Sequence, residues 1–582
     1  MRTPRTISKN LSFVPLQDAS GTVQLVISDP AIVAALESLP VESVLSVQGR
    51  VQLRARGAAN PAMRTGDVEV NVQSWELLNA ADEALPFYAT QCHDAQALPK
   101  DTLRAKYRYL DLRRPALGER IRLRSRMSHA ARCFLHDQGF CEVETPVLLR
   151  STPEGAREFL VPTRQGGTEP QFYALQQSPQ QPKQLLMVSG VTDRYFQFAK
   201  CFRDEDGRKD RQPEFTQIDL EMSFVSGSGD SAAWKIGGTQ VRDITEGLVR
   251  AMWAQTQQPP LPSHFPVLSY EYVMNTYGSD KPDLRFGLAL ENLTPMCPTE
   301  AVDLLVLPHY APCKLSGRQI EQLLLDAHGT RTDVEHFKAR RSAPDTLARL
   351  LLSKSRHMAA VPGAVELDTL IDTLRGAMER ANAFRGPAPW EPEDRCDVFL
   401  ARRPRPNDGG STLLGDLRLR LADVLPLRGN EPQVLWVTEF PLFTRADADK
   451  AEVAHGRWSS THHPFTAPVA DDVPRLMAAR QSASAEERTQ LLASIHGQHY
   501  DLVLNGAEIG GGSVRVHDPD MQLAILKDVL ELEDSEVARF GHLLQALRCG
   551  APPHAGIALG LDRFLAMACD VPSIRDSGAA RS

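Results

Sequence analysis

The stretch that most constrains this fold is residues 194–224, RYFQFAKCFRDEDGRKDRQPEFTQIDLEMSF. Its alternating pattern predicts two strands joined by a charged loop, because successive strand side chains point to opposite faces. One face of the first strand is aromatic, with Phe196, Phe198 and Phe202. The opposite faces of the two strands carry Gln197, Arg203, Phe215, Gln217, Asp219 and Glu221. A fixed arginine beside carboxylates would suit a ligand with phosphate and ammonium groups. The alternative is an ordinary amphipathic hairpin with a solvated outer face.

The length and composition predict a globular protein with more than one domain. A chain of 582 residues exceeds one core, so about two to four domains are expected. Hydrophobic and charged contents of 42% and 24% are typical of soluble proteins, and no apolar run is long enough to span a membrane. A net charge of -8 argues against a generally basic nucleic-acid binder, so any RNA contact depends on a local patch, such as residues 100–126.

The cysteines and the first residues bear on the compartment. The 9 cysteines are scattered and form no CxxC pair, which predicts a reducing compartment and no zinc site. The start, MRTPRTISKN, is basic and free of acidic residues, but it is too short to identify as a transit peptide.

Residues 1–83 predict a small β-barrel of the oligonucleotide-binding (OB) type. Strand-like, glycine-punctuated segments surround one short helical piece, AIVAALESL. Phe13 and Gln24 are candidates for a face that contacts unstacked bases, although Phe13 is equally compatible with the barrel core. Because the chain starts almost directly in LSFVPL, we expect the first barrel strand to be missing.

Residues 84–118 read as a hinge, and a helix follows. The segment 119–139 places Ile121, Met127, Ala131 and Leu135 on one apolar stripe that closes at a glycine. Residues 287–430 change character, with helical stretches rich in Leu, Ala and Arg, and we interpret them as an inserted domain. Strand signals resume at QVLWVTEFPLF and continue to residue 582.

Two later segments have the composition of ligand sites. In YDLVLNGAEIGGGSVRVH, Asp501 and Glu508 are candidate oxygen ligands for a hard cation such as Mg²⁺, although a triple glycine is also a common bulge. In GIALGLDRF a strand runs into a helix whose first turn carries Arg563, a ready anion site.

A third group of polar residues precedes the first hairpin. STPEGAREFLVP is a Pro/Gly loop that contains Glu154, and FYALQQSPQ supplies Gln177, Ser178 and Gln180. The adjacent His462 and His463 in THHPFTAP are further candidate ligand contacts.

Taken together, these segments resemble the class II aminoacyl-tRNA synthetases. FRDEDGRKDRQPEFTQIDLEMSF and PPHAGIALGLDRF resemble the second and third signature motifs, and GFCEVETPVLL resembles the dimer-forming first motif. Within that class the chain is similar to aspartyl-tRNA synthetases of the bacterial and organellar type. KYRYLDLRRP, YGSDKPDLRF, WVTEFPLF and HHPFTAP stand in the expected order.

The resemblance implies an α+β multidomain fold. It consists of an N-terminal OB-type barrel (1–83), a hinge (84–118) and a catalytic antiparallel sheet with flanking helices (119–286 and 431–582), interrupted by an inserted α/β domain (287–430). It also implies a homodimer in which the segment around Pro146 forms part of the interface. The divergent insertion and irregular ends favour a mitochondrion or plastid over a bacterial cytoplasm.

The resemblance further implies an aspartate–tRNA ligase whose substrates are ATP, L-aspartate and tRNA(Asp), with Mg²⁺ as cofactor. Arg203, Glu508 and Arg563 would be catalytic. The ATP contacts would be Arg203, Asp204, Glu205, Gln212, Phe215, Glu508, Gly560, Leu561, Asp562 and Arg563. The aspartate contacts would be Glu154, Ser178, Gln180, Lys183, Arg203, Asp219, His462 and Arg515. Asp501 and Glu508 would bind the metal, and Phe13 and Gln24 would contact the anticodon.

Two alternatives stay open at this point. One is a relaxed ligase that also charges the asparagine tRNA. The other is a non-catalytic tRNA-binding paralogue, which should have lost one of the expected charged residues, whereas Arg203, Glu508, Arg515 and Arg563 are all present. A departure from the family pattern is Pro182, which precedes Lys183 and is expected to disturb its position.

Overall fold

The structure is a computed structural model that describes most of the chain. It describes residues 1–582 apart from 62, 90–97, 152–156, 165–169, 206–210, 295–300, 311–313, 327–328, 360–365, 384–391, 404–406, 408–409, 446–457, 572 and 577–582. The chain divides into two compact units, one formed by Met1–Ser125 with a short stretch that begins at Ser573, the other by Arg126–Pro572. None of the helices in the described ranges is long and apolar enough to cross a membrane.

The N-terminal unit is built on a five-stranded sheet. Its strands are β1 (Arg5–Ser8), β2 (Leu11–Gln17), β3 (Thr22–Ile27), β4 (Val44–Leu53) and β5 (Val68–Asn79), in the order β1-β2-β3-β5-β4. The helices up to residue 137 are α1 (Pro30–Glu37), α2 (Asp101–Lys106), α3 (Arg108–Asp111) and α4 (Pro115–Asp137). The predicted OB-type arrangement of strands around one short helix is therefore present.

One expectation about this sheet is wrong. A strand does precede LSFVPL, because β1 pairs antiparallel with β2 and the hydroxyls of Thr6 and Ser12 lie 3.0 Å apart. All four β1 residues are exposed, so the segment lacks the apolar alternation that would have revealed it.

The next segment contains the predicted helix and hairpin. Its strands are β6 (Cys141–Glu142), β7 (Leu148–Leu149), β8 (Leu160–Thr163), β9 (Gln171–Leu175), β10 (Arg194–Phe202), β11 (Glu214–Ser223) and β12 (Val267–Ser269). Its helices are α5 (Gln180–Ser189), α6 (Thr239–Trp253) and α7 (Tyr270–Tyr277). In α4 the predicted stripe is buried at Met127, Ala131 and Leu135, and Gly139 follows the helix at φ +78°. Strands β10 and β11 pair antiparallel over their whole length, as predicted.

Residues 287–430 form a layered α/β arrangement. The strands are β13 (Leu290–Asn292), β14 (Ala301–Tyr310), β15 (Val334–Arg340) and β16 (Pro392–Arg403), in the order β13-β14-β16-β15. The helices are α8 (Gly317–Leu323), α9 (Pro344–Lys354), α10 (Arg356–Ala359), α11 (Leu367–Ala383) and α12 (Leu413–Val424). Helices α8 and α12 pack on one face of the sheet and α9 and α11 on the other, which gives two separate apolar clusters. Because both faces of the sheet are covered, β14 is buried along almost its whole length and does not alternate between apolar and polar residues.

The last segment completes the large sheet. Its strands are β17 (Val434–Thr438), β18 (Phe443–Arg445), β19 (Trp458–Ser460), β20 (His499–Leu504), β21 (Ala507–Val514) and β22 (His554–Gly560). Its helices are α13 (Val473–Gln481), α14 (Ala485–Ala493), α15 (Pro519–Ala524), α16 (Asp534–Val537), α17 (Gly541–Arg548) and α18 (Leu561–Ala568). The eight-stranded sheet has the order β12-β17-β20-β21-β22-β11-β10-β6 and is antiparallel except where β12 and β6 join its edges. Strands from distant parts of the chain therefore lie side by side, and β11 of the predicted hairpin pairs with β22.

Candidate active site

The predicted anion-binding arginine lies at the loop end of the β10–β11 hairpin. Arg203 directly follows β10, and its backbone N–H donates to the carbonyl of Pro213 at 3.0 Å. Its guanidinium carbon lies 5.2 Å from the ring centre of Phe215, at the start of β11. Its Nε is buried and has no hydrogen-bond partner among the residues that the structure describes. A buried donor without an acceptor suits an anionic ligand at this position.

Four buried charges form the centre of the site. Lys183 Nζ lies 2.6 Å from Asp219 Oδ1 and 3.2 Å from Glu221 Oε2. Arg515 donates to both oxygens of Glu221, at 3.0 and 3.1 Å. All four side chains are at most 1% exposed. The polar face of the hairpin is thus buried, which excludes the solvated alternative. We call Lys183, Asp219, Glu221 and Arg515 the charge cluster.

The proline before Lys183 does not displace that residue. Helix α5 begins at Gln180, so Pro182 lies in its first turn, where a backbone N–H needs no partner within the helix. The N–H of Lys183 then donates to the carbonyl of Pro179 at 3.0 Å. The expected disturbance is therefore wrong, and Lys183 reaches the cluster from the helix.

The two carboxylates of the cluster respond differently to burial. Burial raises the pKa of Asp219, and Lys183 offsets only part of that effect. Burial also acts to raise the pKa of Glu221, but Arg515 and Lys183 outweigh it, so the pKa of Glu221 is lowered. Asp219 Oδ2 has no hydrogen-bond partner among the described residues. This oxygen is the acceptor that a bound ammonium group would need.

Histidines cover one side of Arg515. His463 Nε2 lies 2.7 Å from Arg515 Nη1, which also donates to Ser513 Oγ at 2.6 Å. The predicted His462 lies beside these groups and stacks on His499, with ring centres 4.3 Å apart. The direct contact with Arg515 is therefore made by His463. The adjacent histidine pair signalled this region, but the sequence does not distinguish its two members.

The candidate metal ligands meet across the β20–β21 hairpin. Asp501 pairs with Gly511, and a bulge lies between Leu502 and Val503. A Cβ at Gly511 would lie 2.8 Å from Asp501 Oδ1 and 3.5 Å from Glu508 Oε1, so the glycine leaves room for both carboxylates. The bulge therefore falls at Ile509, just before the triple glycine, and Gly511 allows the two carboxylates to come close to its backbone.

The donor set of this pair suits a hard cation. Across the described ranges, no third His, Cys, Asp or Glu completes a metal-binding group with these carboxylates. Mg²⁺ is commonly held by one or two carboxylates, with substrate phosphates and water as the remaining ligands. Two converging carboxylates beside a phosphate site fit that pattern.

The third predicted arginine lies at the junction of β22 and α18. Helix α18 begins at Leu561, directly after Gly560. Arg563 Nη1 donates to the backbone carbonyl of Glu508 at 2.6 Å and lies 4.0 Å from its Oε2. Asp562 Oδ2 accepts the N–H of Thr216 at 2.7 Å, which joins α18 to β11. Arg563 and Glu508 are thus neighbours, as a phosphate site beside a metal requires.

The remaining predicted residues lie around this centre. Gln180 is 7% exposed, and its Nε2 has no hydrogen-bond partner among the described residues. Ser178 is half-buried just before it. Glu205 pairs with Arg211 at 3.2 Å, the N–H of Asp204 donates to Arg157, and Gln212 is half-buried in the same connection. Glu154 lies outside the described residues.

Phe13 and Gln24 lie on one face of the N-terminal sheet. The core is formed by the other face, with Val14, Leu25 and Ile27. Phe13 pairs with Val26 and Pro15 with Gln24, so Phe13 belongs to the face opposite the core. This excludes Phe13 as a core residue. Gln24 Nε2 donates to Glu69 Oε2 at 2.9 Å, and Gln52 donates to the other oxygen of Glu69 at 3.1 Å. The face therefore combines a ring with a row of hydrogen-bonding groups, of which Glu69 and Gln52 were not predicted.

Comparisons with known proteins agree with this geometry. Residues 100–579 match the family described as tRNA synthetases class II (D, K and N), and residues 2–78 match the OB-fold nucleic acid binding domain. The mitochondrial aspartate–tRNA ligase of Dictyostelium discoideum is 40% identical over 555 residues, which cover 92% of this chain and 73% of that protein. The chain belongs to the aspartyl-tRNA synthetases of the bacterial and mitochondrial type.

Other members of the family include both kinds of tRNA specificity. The human mitochondrial aspartate–tRNA ligase is 39% identical over 590 residues, covering 97% of this chain and 81% of that protein. The aspartate–tRNA(Asp/Asn) ligase of Opitutus terrae is 38% identical over 575 residues, which cover 97% of this chain and 88% of that protein. A solved aspartyl-tRNA synthetase from Leishmania major, described as putative, is similar in fold, with a TM-score of 0.55 at 18% identity over 99% of this chain and 88% of that one.

Family membership confirms the resemblance seen in the motifs. The enzyme is an aspartate–tRNA ligase of class II, with ATP as a substrate and an OB-fold domain for tRNA binding. The roles of individual site residues and the domain boundaries stay predictions.

The buried histidines predict how the stability of this enzyme depends on pH. Burial lowers the pKa of His463 well below the ordinary value of 6.5, and Arg515 and Lys183 lower it further. The pKa of His462 is lowered in the same direction, first by burial and then by its histidine neighbours. Below pH 6.5 these two histidines therefore bind more protons in the unfolded chain than in the folded chain, so their contribution to the free energy of unfolding falls with falling pH.

We expect His463→Gln to reduce this acid-induced loss of stability. Each neutral buried histidine contributes a loss of about 1.4 kcal/mol per pH unit below its unfolded pKa. Glutamine keeps a hydrogen-bond acceptor for Arg515 but does not titrate. Urea unfolding at about pH 7.5 and about pH 5.5, followed by tryptophan fluorescence, measures the difference. The exposed His264→Gln serves as the control. If the free energy of unfolding falls equally in wild type and His463→Gln, His463 is not a neutral buried histidine in the folded chain.

Proposed function

We propose that this enzyme activates L-aspartate with ATP in the charge cluster and transfers it to the 3′ end of tRNA(Asp). The observation that carries the proposal is one buried cluster in which Lys183 pairs with Asp219 Oδ1, Arg515 pairs with Glu221, and Asp219 Oδ2 has no hydrogen-bond partner among the described residues. This arrangement offers cations to a side-chain carboxylate and an acceptor to an ammonium group. An amino acid that has both groups is aspartate.

The charge balance of the cluster accounts for selection against asparagine. Lys183 and Arg515 are balanced by Asp219 and Glu221, and all four side chains are buried. An aspartate carboxylate accepts hydrogen bonds from the two cations, and it can displace His463 from Arg515. The amide of asparagine carries no charge and offers one oxygen, so it leaves buried donors unpaired.

We propose the other ligand contacts that the family resemblance implies. Arg203 binds the α-phosphate and Phe215 stacks on adenine, with Asp204, Glu205 and Gln212 on the nucleotide and Gly560, Leu561 and Asp562 forming the site wall beside it. Arg563 binds the far phosphate. Ser178, Gln180 and Asp219 hold the α-ammonium group, and His462 closes over the substrate. Glu154, which lies outside the described residues, is added to the ammonium contacts by the family resemblance alone.

Activation needs positioned charge rather than proton transfer. An oxygen of the aspartate α-carboxylate attacks the α-phosphorus, and the bond to the bridging oxygen breaks with its electron pair leaving on pyrophosphate. Because both reactants are anions, Arg203 and Arg563 lower their repulsion and stabilise the transition state. Asp501 and Glu508 would hold Mg²⁺, which supplies further neutralisation of the phosphates when bound.

The anticodon face supports a proposal for tRNA binding. Phe13 is placed to stack on an unpaired base, and Gln24, Glu69 and Gln52 form hydrogen bonds among themselves that bases could replace. Relatives of similar identity include ligases named for tRNA(Asp) and for tRNA(Asp/Asn). We propose tRNA(Asp) as the substrate, and charging of tRNA(Asn) is the alternative.

We also propose that the enzyme is a homodimer. Strands β7, β9 and β8 follow Pro146. On one face of this small sheet Leu160 and Phe172 are exposed, at 57% and 51%, and Leu148 is exposed on the other face, at 47%. Clustered exposed apolar side chains mark interaction surfaces. Sedimentation velocity of the purified chain tests this, and a monomer at high concentration would contradict it.

The mitochondrial relatives support an organellar location, which fractionation of the source cells would test.

Pyrophosphate exchange tests the activation step. We expect aspartate, but not asparagine or lysine, to drive exchange of labelled pyrophosphate into ATP. Arg203→Ala should lower the rate by about a hundredfold or more, because it removes a charge from the transition state. Arg375→Ala, an exposed arginine paired with Asp372 in the inserted domain, is the control. A folded wild-type protein without aspartate-dependent exchange would overturn the ligase proposal and favour a non-catalytic tRNA-binding protein.

Aminoacylation tests the tRNA end separately. We expect Gln24→Ala to raise KM for tRNA(Asp) about tenfold, because the variant loses both the hydrogen bond to Glu69 and a contact with a base. Pyrophosphate exchange without tRNA should be unchanged. Glu37→Ala, exposed at the end of α1, is the control. Charging of tRNA(Asn) transcripts at the rate of tRNA(Asp) would show the relaxed alternative. An unchanged KM in Gln24→Ala would contradict the assignment of this face.

A further inference from the structure

A lysine that no site prediction included lies beside the metal ligands. The loop between α7 and the inserted domain, GSDKPDLR at residues 278–285, contains Lys281. Lys281 Nζ lies 3.9 Å from Glu508 Oε2 and 3.7 Å from Asp280 Oδ1. Its side chain is 44% exposed, so the ammonium group is accessible to a ligand.

The same oxygen of Glu508 lies near a second cation. Arg563 Nη1 is 4.0 Å from Glu508 Oε2, while Lys281 approaches that oxygen at 3.9 Å. Two cations thus flank the carboxylate, at the place where Asp501 and Glu508 converge on Gly511. A ligand with several adjacent negative charges would complete this arrangement, because each cation could then pair with a phosphate oxygen instead of sharing one carboxylate.

We infer that Lys281 binds the β- and γ-phosphates of ATP, together with Arg563, and stabilises the pyrophosphate that leaves. This inference rests on the ligase reaction proposed above. When the bond between the α-phosphorus and the bridging oxygen breaks, its electron pair adds negative charge to the pyrophosphate oxygens. A lysine ammonium close to those oxygens stabilises that charge, and no proton needs to move.

The inserted domain holds the loop in this position. The carbonyl of Gly278 accepts the N–H of Thr412 at 2.8 Å, and the N–H of Asp280 donates to Gly410 at 3.0 Å. Gly278 has φ +66°, and a Cβ there would lie 2.9 Å from Gly415. The loop therefore packs on the segment by which the chain returns from the insertion.

Arginines anchor the other end of the loop. Asp283 is paired with Arg285 at 2.7 Å and with Arg428 at 3.1 Å. Arg418 is 1% exposed and donates to the backbone carbonyls of Asp283 and Phe286, both at 2.8 Å. Arg418 lies in α12 and Arg428 shortly after that helix, both near the end of the insertion. The insertion thus has a catalytic consequence, since it fixes the position of Lys281.

A simpler reading is that Lys281 only neutralises Asp280 and Glu508. In that case its removal would alter the carboxylates, and through them the metal, but it would not weaken binding of phosphates when no metal is present. The two readings therefore differ in a binding measurement that does not depend on turnover.

Isothermal titration of Lys281→Ala separates these readings. The probes are ATP with Mg²⁺, ATP with excess EDTA, and a sulfamoyl analogue of aspartyl-adenylate, which lacks the β- and γ-phosphates. We expect affinity for ATP to fall about tenfold with and without Mg²⁺, and affinity for the analogue to stay within about twofold. In pyrophosphate exchange, KM for ATP should rise while KM for aspartate is unchanged.

Two further variants complete the experiment. Lys281→Arg keeps the charge and should retain more ATP affinity than Lys281→Ala. Lys527→Ala, a surface lysine paired with Asp534, should bind all three probes as wild type does. An ATP affinity equal to wild type in Lys281→Ala would overturn the inference, as would a loss seen only with Mg²⁺ or an equal loss for the analogue. Absence of aspartate-dependent exchange in wild type would instead overturn the ligase proposal itself.

Discussion

The structure depends on burying two cations and two carboxylates together at the centre of one sheet. A single buried charge is strongly unfavourable, and only paired, hydrogen-bonded charges persist in a protein interior. Lys183 comes from α5, Asp219 and Glu221 from β11, and Arg515 from the end of β21, so three segments must meet for any of them to be stable. Gly556 of β22 leaves the space that Glu221 occupies, because a Cβ there would lie 1.9 Å from Glu221 Oε2.

This cluster connects fold and chemistry. The pairing that makes the buried charges tolerable also orients Lys183 and Arg515 before any substrate arrives, which is the condition for selective binding of a carboxylate. We propose a similar plan for the phosphate side, where Arg563 and Lys281 lie 4.0 and 3.9 Å from Glu508. In this proposal one sheet presents an amino-acid site and a nucleotide site side by side.

Much of this arrangement could be predicted from the sequence, because strand alternation assigns each hairpin residue to a face. Phe215, Asp219 and Arg203 were found in that way. Glu221 shares the face, but its importance depends on Arg515, which lies 294 residues away in the chain, and no local pattern shows that they meet. Both His462 and His463 were candidates, but the aspartate contact was assigned to His462, because neighbours in a loop have no periodicity that separates them. Strand β1 was missed because it is polar. An α/β insertion was expected, but β14 could not be located within it, because burial on both faces removes its alternation.

In the function proposed above, the buried carboxylates hold Lys183 and Arg515 in the orientation that selects aspartate. Glu221→Gln tests it most directly, since it keeps the shape of the side chain and removes its charge. Pyrophosphate exchange should show kcat/KM for aspartate lowered about tenfold or more, with KM for ATP unchanged and the far-ultraviolet circular dichroism of the folded chain retained. A folded Glu221→Gln enzyme with wild-type kinetics for aspartate would contradict the account.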